Sequence, residues 1–292
     1  IQSVQCCTTN CNTYAHQEEA ELVGCIAGRF FQRIVLATNV KSLVIRDSTF
    51  GILEVKFGHW TTTAPLHENL KFTMINSNVT FHTKIIGANG VVGRNLQFRF
   101  ENLLVASAST HLSHRYFIGF HDMILHNTSI VVRDSKCSTE NANEGGNGTA
   151  FWFTNTTLMD DSSVDVSSFV TTQIHAGNTT AFLFDQGSVL NSVRLRVTDS
   201  TFTIASRGRT GSAALFTADN TTITNGTQIL FDQVMAVAYS NDASCEAYGF
   251  RFTNHTTITP TLPSTESSSS AVNITVIGLI NATCAEAVDA IG

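Results

Sequence analysis

The chain has 292 residues, a formal net charge of −6 and only 14% charged residues. Typical soluble domains have roughly a quarter charged residues, so Ser, Thr and Asn replace much of the usual charge here. The negative balance gives no basic surface, which excludes nucleic acid as an expected partner. No apolar run approaches the roughly 18 residues of a membrane-spanning helix, so no membrane span is predicted.

Residues 1–38 do not fit the repeat that follows and are predicted to form an N-terminal cap. Within this segment, apolar residues occur at helical spacing at Ala15, Ala20, Leu22, Val23 and Ile26, which predicts a short helix. The end of a stacked β structure exposes unpaired strand edges and an apolar core. A helix over that end would cover both.

The chain has seven cysteines, and four of them lie in the first 25 residues. The pattern CC-x3-C lacks the second pair that a zinc site needs, so we expect disulfides that tie the cap together. Two further cysteines flank the last full coil and are predicted to close it. The residues expected in disulfides are Cys6, Cys7, Cys11, Cys25, Cys245 and Cys284. An odd count leaves at least one thiol free or bonded to another chain.

From residue 39 to residue 292 the chain repeats a pattern of short strands and polar corners. Residues 149–184 show it most clearly, with the aromatic triplets 151–153 and 182–184 at either end. Period-2 alternation within each segment predicts strands, and a fixed repeat of strand-sized segments is typical of a solenoid. We expect an all-β, right-handed parallel β-helix of about eight coils. The predicted aromatic anchors of successive coils are Phe100, Phe120, Phe153, Phe184, Phe216 and Phe252.

Two polar columns recur at the predicted corners. The first contains Asn76, Asn102, Asp122, Asn155, Gln186 and Asn254, and the second contains Asp47, Asp134 and Asp199, with Asp232 in a similar place. Asn and Asp tolerate the left-handed backbone that a tight corner requires. The first column is interpreted as an internal ladder of stacked amides, with a line of glycans as the alternative. Residues three after each Asp, Phe50, Cys137 and Phe202, should point inward.

Ten N-glycosylation motifs occur, nine of them with Thr at the third position. Together with the cysteines, their density predicts N-linked glycans and an extracellular, secreted or cell-surface location. An amide ladder would make Asn155 and Asn254 poor acceptors. The acceptor residues are Asn78, Asn127, Asn147, Asn155, Asn178, Asn220, Asn225, Asn254, Asn273 and Asn281.

Few residues suggest chemistry. Asp199 and Asp232 are predicted to stack on adjacent coils, as an acid pair or as two separate turn caps. Trp152 is the best candidate for an exposed, sugar-stacking aromatic, with counterparts at Leu183, Leu215 and Arg251. No catalytic residue, metal site or cofactor is predicted.

The coil repeat, the polar corner ladder and the predicted cap resemble the pectin-lyase-like parallel β-helix superfamily. The Asn/Thr/Ser-rich coils are also similar to those of non-catalytic β-helical surface glycoproteins of protists. Enzymes of this superfamily cleave acidic polysaccharides, but their Asn-Thr-Asp, Gly-Asp-Asp, Gly-His-Gly and Arg-Ile-Lys motifs are missing from this sequence. The resemblance therefore implies the fold without fixing the function.

Three functions are compatible with these features. The first is a non-enzymatic structural glycoprotein whose rods associate end to end into a homopolymer, forming a fibre or surface coat. The second is a carbohydrate-binding adhesin that presents a sheet face, and the third is a polysaccharide lyase or hydrolase. Glycans on the sheet faces would favour the first over the second, because they would cover a binding face.

Overall fold

The computed structural model describes residues 1–27, 30–58, 65–107, 114–141, 146–207, 211–224, 226–240, 246–259 and 272–284. These residues form an all-β parallel solenoid in which each strand pairs in register with strands one coil away. This confirms the predicted parallel β-helix fold. The described ranges contain no helix that could cross a membrane.

Each full coil contributes strands to four stacked parallel sheets, called A, B, C and D in the order in which the chain meets them. Long strands turn corners and belong to more than one sheet. Sheet A contains β1 (Gln2–Ser3), β3 (Glu19–Val23), β5 (Ser42–Arg46), β8 (Lys71–Ile75), β10 (Gln97–Glu101), β13 (Ser129–Arg133), β17 (Ser163–Ser167), β21 (Arg194–Thr198) and the first parts of β25 (Gln228–Ser240) and β28 (Asn273–Cys284).

Sheet B lies beside sheet A around the coil. It contains the first parts of β6 (Thr49–Phe57) and β9 (Asn78–Arg94), then β11 (Leu104–Ser107), β14 (Lys136–Asn141), β18 (Val170–His175), β22 (Thr201–Ser206) and the last parts of β25 and β28.

Sheets C and D complete the coil. Sheet C contains β2 (Cys11–Ala15), β4 (Phe31–Leu36), later parts of β6 and β9, the first part of β12 (His114–His126), β15 (Asn147–Thr154), β19 (Thr179–Asp185), β23 (Ala213–Asp219) and β26 (Ala247–Thr253). Sheet D contains β7 (Leu66–Glu68), the ends of β9 and β12, β16 (Thr157–Met159), β20 (Val189–Asn191), β24 (Thr222–Thr224) and β27 (Thr257–Thr259).

The core is a stack of aromatic and aliphatic side chains from alternate strand positions. The rings of Phe120, Phe153 and Phe184 lie nearly parallel, with centroids 5.3 Å and 4.6 Å apart on successive coils. Phe151 and Phe182 form a second stack at 4.8 Å. Such offset stacking adds to the hydrophobic stabilisation that comes from burying the rings.

Two predicted anchors belong to other positions. Phe184 lies opposite Ala218, whereas Phe216 pairs with Phe182. Phe100 lies in sheet A, not in sheet C with Phe153. Both inward rows of sheet C are rich in Phe. Where a residue of one row is Ala, an alignment by aromatic residues therefore selects the Phe of the other row, two positions away.

The corners that follow sheets A, C and D are made by residues with a left-handed backbone. The corner after sheet A contains Asp47, Asn76, Asn102, Asp134, Ser168, Asp199 and Gln233. The corner after sheet C contains Asp122, Asn155, Gln186, Asn220 and Asn254, and the corner after sheet D contains Asn69, Asn95, Asn127, Asp160, Asp161 and Ser192.

The predicted amide ladder is present at all three corners. The side-chain amide of Asn102 donates to the Oδ1 of Asn76 at 2.8 Å. Equivalent 2.8 Å bonds join Asn127 to Asn95 and Asn155 to Asp122. The predicted membership of the columns was wrong in one respect, because Asn76 and Asn102 stack with Asp47 and not with Asn155.

A buried Ser or Thr follows the left-handed residue at many corners. The hydroxyl of Thr156, for example, donates to the carbonyl of Thr154 at 2.9 Å and to that of Phe120, one coil away, at 3.0 Å. Ser200 likewise donates to the carbonyl of Thr198 at 2.7 Å. The recurrent Asn-Thr and Asp-Ser pairs therefore have a structural cause, since buried polar groups need partners.

The predicted N-terminal helix is wrong. The residues assigned to it form the sheet strands β2 and β3, whose pairing with β4 and β5 continues the solenoid across residue 38. Ala20 and Leu22 are buried, whereas Val23 and Ile26 are exposed. Several of these apolar residues fit both the helical period of 3.6 and the strand period of 2. The parallel pairing of β2 and β3 shows that the strand period applies.

Disulfides tie the first coil as predicted, joining Cys6 to Cys25 and Cys7 to Cys11. Cys137 is a free, buried thiol, and Phe50 and Phe202 point inward with it. Burial raises the pKa of the Cys137 thiol to about 12, so it is held as an unreactive core group. Cys245 lies outside the described residues, so its predicted bond to Cys284 stays a prediction.

Candidate functional site

The outer face of sheet C carries a groove of about 620 Å³ that crosses β15, β19, β23 and β26. Its floor consists of two rows of side chains, each with one residue per coil. The first row is Trp152, Leu183, Thr217 and Arg251, and the second is Asp185, Asp219 and Thr253, which continue the column of the buried Thr154. The rows exist because every second residue of a strand faces outward and the parallel register repeats it on each coil.

Trp152 is half-buried at one end of this groove. Its ring contacts Tyr116 and His121 edge-on, with centroid distances of 5.2 Å and 4.7 Å. Its indole N–H donates to the Oδ1 of Asp185 at 3.1 Å. These contacts hold the indole in one orientation, as a binding platform requires. The predicted counterpart Leu215 is wrong, because Leu215 is buried and Thr217 occupies the outward position.

Asp185 and Asp219 lie side by side on β19 and β23, where the strands are about 4.8 Å apart. Burial raises the pKa of the Asp185 carboxyl; hydrogen bonds from Thr154 and Trp152 oppose this shift, and the charge of Asp219 adds to it. The hydroxyl of Thr253 donates to Asp219 at 3.1 Å. All of these donors are neutral, so none of them brings a positive charge to the pair.

Arg251 supplies the positive charge at the far end of the groove. Its guanidinium donates to the Oγ of Ser212 and, at 3.3 Å, to the Oε2 of Glu246. It also lies over the ring of Tyr248, 5.3 Å from the ring centroid, within the about 6 Å of a cation–π contact. Among the described ion pairs, Arg251 bridges to Glu246 and to neither aspartate of the groove.

Hydroxyl and amide groups line the rest of the groove. The Oγ1 atoms of Thr180 and Thr217 are 3.3 Å apart. The Oδ1 of Asn147 accepts from the backbone N–H of Asn178 at 2.8 Å, and the Oδ1 of Asn178 accepts from that of Ser212 at 3.0 Å. An aromatic platform beside ordered hydroxyls, amides and carboxylates suits a polyhydroxylated ligand, because both faces and edges of a sugar find partners.

The predicted acid pair is wrong. Asp232 lies in β25 opposite Thr198, and Gln233 takes the corner position that stacks on Asp199. The prediction missed Asp185 and Asp219. Each is the last residue of a strand that also contains a core phenylalanine, β19 and β23 respectively. Within the described ranges, no three His, Cys, Asp or Glu side chains cluster as a metal site.

The described acceptor asparagines lie at strand starts and corners or, for Asn281, within β28, and none belongs to the two rows of the groove floor. Eight of the acceptor asparagines are exposed, namely Asn78, Asn127, Asn155, Asn178, Asn220, Asn254, Asn273 and Asn281. Asn147 is half-buried, and Asn225 lies outside the described residues. Asn147, Asn178 and Asn254 line the groove.

Comparison with known proteins adds no identity to this geometry. No protein-family model, no curated protein and no solved structure matches the chain.

Proposed function

We propose that the protein is an extracellular carbohydrate-binding solenoid, an adhesin-like, non-catalytic form of the pectin-lyase-like β-helix. The observation that carries this proposal is the groove on sheet C, with Trp152 held beside rows of hydroxyl, amide and carboxylate groups. Ligand sites are concave and combine apolar surface with a few placed polar groups. The two disulfides are compatible with the location.

The placement of the glycosylation motifs bears on the choice between binding and a purely structural coat. None of the described residues on the floor of the groove, in 149–154, 180–185, 214–219 or 248–253, is an acceptor asparagine. Asn147, Asn178 and Asn254 line the groove, so binding on this face requires that these three acceptors carry no glycans. A rod with glycans at the other acceptors is compatible with a ligand there.

The saccharide affinity of a Trp152 variant tests this proposal directly. The variant Trp152→Ala is expected to lower saccharide affinity at least tenfold, since buried aromatic anchors dominate such sites. Tyr14→Ala is a matched control, because Tyr14 is an aromatic residue of sheet C that is 52% exposed and lies outside the groove. Calorimetry with oligosaccharides chosen by array screening would measure both. Equal affinity of Trp152→Ala and the native protein would contradict the proposal.

We expect binding without turnover. Cleavage of a glycosidic bond needs one carboxyl as a general acid and a second as a base or nucleophile. The Asp185 oxygens accept hydrogen bonds from Trp152 and Thr154, which hold them against the sheet. Incubation with polygalacturonate and with the bound saccharides should release no reducing ends or unsaturated products. Release that disappears in Asp185→Asn would establish a hydrolase or lyase instead.

A second proposed role, the end-to-end association of rods, rests on a separate observation. The last described coil exposes apolar side chains of β28, with Ile277 55% and Leu279 60% exposed. An exposed apolar strand edge is a template for another chain. A head-to-tail contact of this kind propagates into filaments when it does not close on itself.

Sedimentation velocity tests this second role. The native protein is expected to form concentration-dependent oligomers, and the double variant Ile277→Lys, Leu279→Glu is expected to sediment as a monomer. The exposed pair Leu104→Lys, Val170→Glu, far from this coil, serves as the control and should assemble like the native protein. Monomers at all concentrations of the native protein would exclude self-association.

A further inference from the structure

We propose that the groove binds a linear oligosaccharide that carries a free amino group, with the chain along the solenoid axis and the protonated amine between Asp185 and Asp219. This inference rests on the proposed saccharide-binding function. It specifies the orientation of the ligand and its chemical class.

The orientation follows from the two rows on the groove floor. Equivalent side chains recur once per coil along the axis, on β15, β19, β23 and β26. Neighbouring strands are about 4.8 Å apart, which is comparable to the length of one pyranose unit in an extended chain. A linear oligosaccharide along the axis therefore meets the same kind of side chain with each successive sugar. A chain across the strands would meet the glycosylation motifs at the corners.

The preference for an amine follows from the charges in the groove. Asp185 and Asp219 lie on adjacent strands, and their described donors are the neutral groups of Trp152, Thr154 and Thr253. Among the described ion pairs, none includes either aspartate. The nearby cation, Arg251, is paired with Glu246. Two like charges at this spacing repel each other, and a cation between them relieves that repulsion.

The same charges argue against the acidic polysaccharides that enzymes of similar fold cleave. A uronate placed over Asp185 would add a third negative charge to a half-buried site, which is unfavourable. A neutral sugar avoids that penalty but leaves the carboxylate pair without a counterion. An amino sugar supplies the counterion and also donates hydrogen bonds to both carboxylates.

The test compares β-1,4-linked glucosamine oligomers with N-acetylglucosamine oligomers of the same length, from two to six units, by titration calorimetry. The native protein is expected to bind the amino form at least tenfold more tightly. Affinity for it should rise up to four units, the number of coils that the groove crosses, and then level off. The double variant Asp185→Asn, Asp219→Asn should lose the preference, because Asn keeps an acceptor for Trp152 but carries no charge.

The control variant is Asp134→Asn, Asp199→Asn, which removes the same net charge from corners outside the groove. It should keep the preference, so that a loss there would show non-specific attraction to an acidic protein and overturn the inference. Equal affinity for the two oligomers, both dependent on Trp152, would overturn the amine inference and leave the proposed function standing. Failure of the native protein to bind any oligosaccharide would overturn both. A Ca²⁺-dependent affinity for the acetylated form alone would replace the amine with a metal ion.

Discussion

His67 illustrates how a single residue can couple the stability of this fold to pH. Its imidazole is 1% exposed and packs edge-on against Phe57, with ring centroids 5.0 Å apart. Burial, together with the charge of Lys41, lowers the pKa of His67 to about 4. Among the described residues, neither ring nitrogen has a hydrogen-bond partner. The folded protein therefore holds this imidazole neutral.

We expect the free energy of unfolding to fall as the pH drops from about 6.5 to about 4. In that window the unfolded chain binds a proton at His67 and the folded chain does not, which removes up to about 3 kcal/mol. Denaturant unfolding at pH 7 and pH 4.5 measures the effect. His67→Leu should lose less stability on acidification than the native protein, whereas the exposed control His255→Gln should lose as much. Identical losses in native protein and His67→Leu would contradict the prediction.

At the scale of elements, each corner combines a left-handed residue, a side-chain amide that bonds to the neighbouring coil and a buried hydroxyl behind it. Asn102 has a φ of 51° and donates to Asn76, which in turn donates to Asp47 at 3.4 Å. The ladder thus satisfies polar groups between coils where the sheets themselves are interrupted. It also fixes the vertical register of the coils, because each amide reaches only the next corner.

Substitutions at Asn102 separate the two contributions of a corner residue. Asn102→Gly should cost about 1 kcal/mol, the net value of one hydrogen bond, because Gly adopts a positive φ freely. Asn102→Ala should cost about 2–3 kcal/mol, since Ala also loses about 1–2 kcal/mol in the left-handed conformation. The exposed strand residue Asn12 provides the control, and Asn12→Ala should be within about 0.5 kcal/mol of the native protein. Equal costs for Gly and Ala, measured by denaturant unfolding, would show that backbone conformation is not limiting.

The elements that could be predicted from the sequence are those whose cause is local. Alternation specifies strands, and Asn or Asp before Ser or Thr specifies corners, so the parallel solenoid could be predicted. The groove could not be predicted, because its two carboxylates lie side by side only when the strands are paired in the correct register. The spacing of equivalent residues changes where a corner has an additional residue, as at Asp160 and Asp161, and the aromatic pattern is broken where Ala218 pairs with Phe184. A repeat detected from side-chain type misses both effects.

At the scale of the whole molecule, the corners also decide where glycans are compatible with the fold. Asn127 and Asn155 use their side-chain amides as donors inside the ladders. Asn78, Asn273 and Asn281 are exposed at strand positions instead. In Asn254-His255-Thr256, the Thr of the motif is itself a corner hydroxyl that donates to Ala218 and Thr253. Part of the density of these motifs thus has a structural origin.

We expect N-glycan occupancy to differ between these two groups in protein secreted from eukaryotic cells. A glycan on the amide of Asn155 would replace a hydrogen of the ladder bond to Asp122, so folded molecules with that modification should be fewer. Mass spectrometry of glycopeptides should show high occupancy at Asn78, Asn273 and Asn281 and low occupancy at Asn127 and Asn155. Uniform occupancy would show that the ladders tolerate glycans, and no glycans at all would count against the secretory location.

The corner also has an evolutionary consequence. Because it already requires an asparagine, an unmodified corner is one substitution away from a new N-glycosylation motif. Asn102-Leu103-Leu104 would become one by Leu104→Thr, at a residue that is 43% exposed, and Asn95-Leu96-Gln97 by Gln97→Thr at another exposed residue. Neither change touches the buried stack. Asn95 and Asn102 donate within the ladders as Asn127 and Asn155 do, so the new motifs are expected to stay poorly occupied. A chain of this fold can therefore accumulate N-glycosylation motifs without a matching gain of glycans.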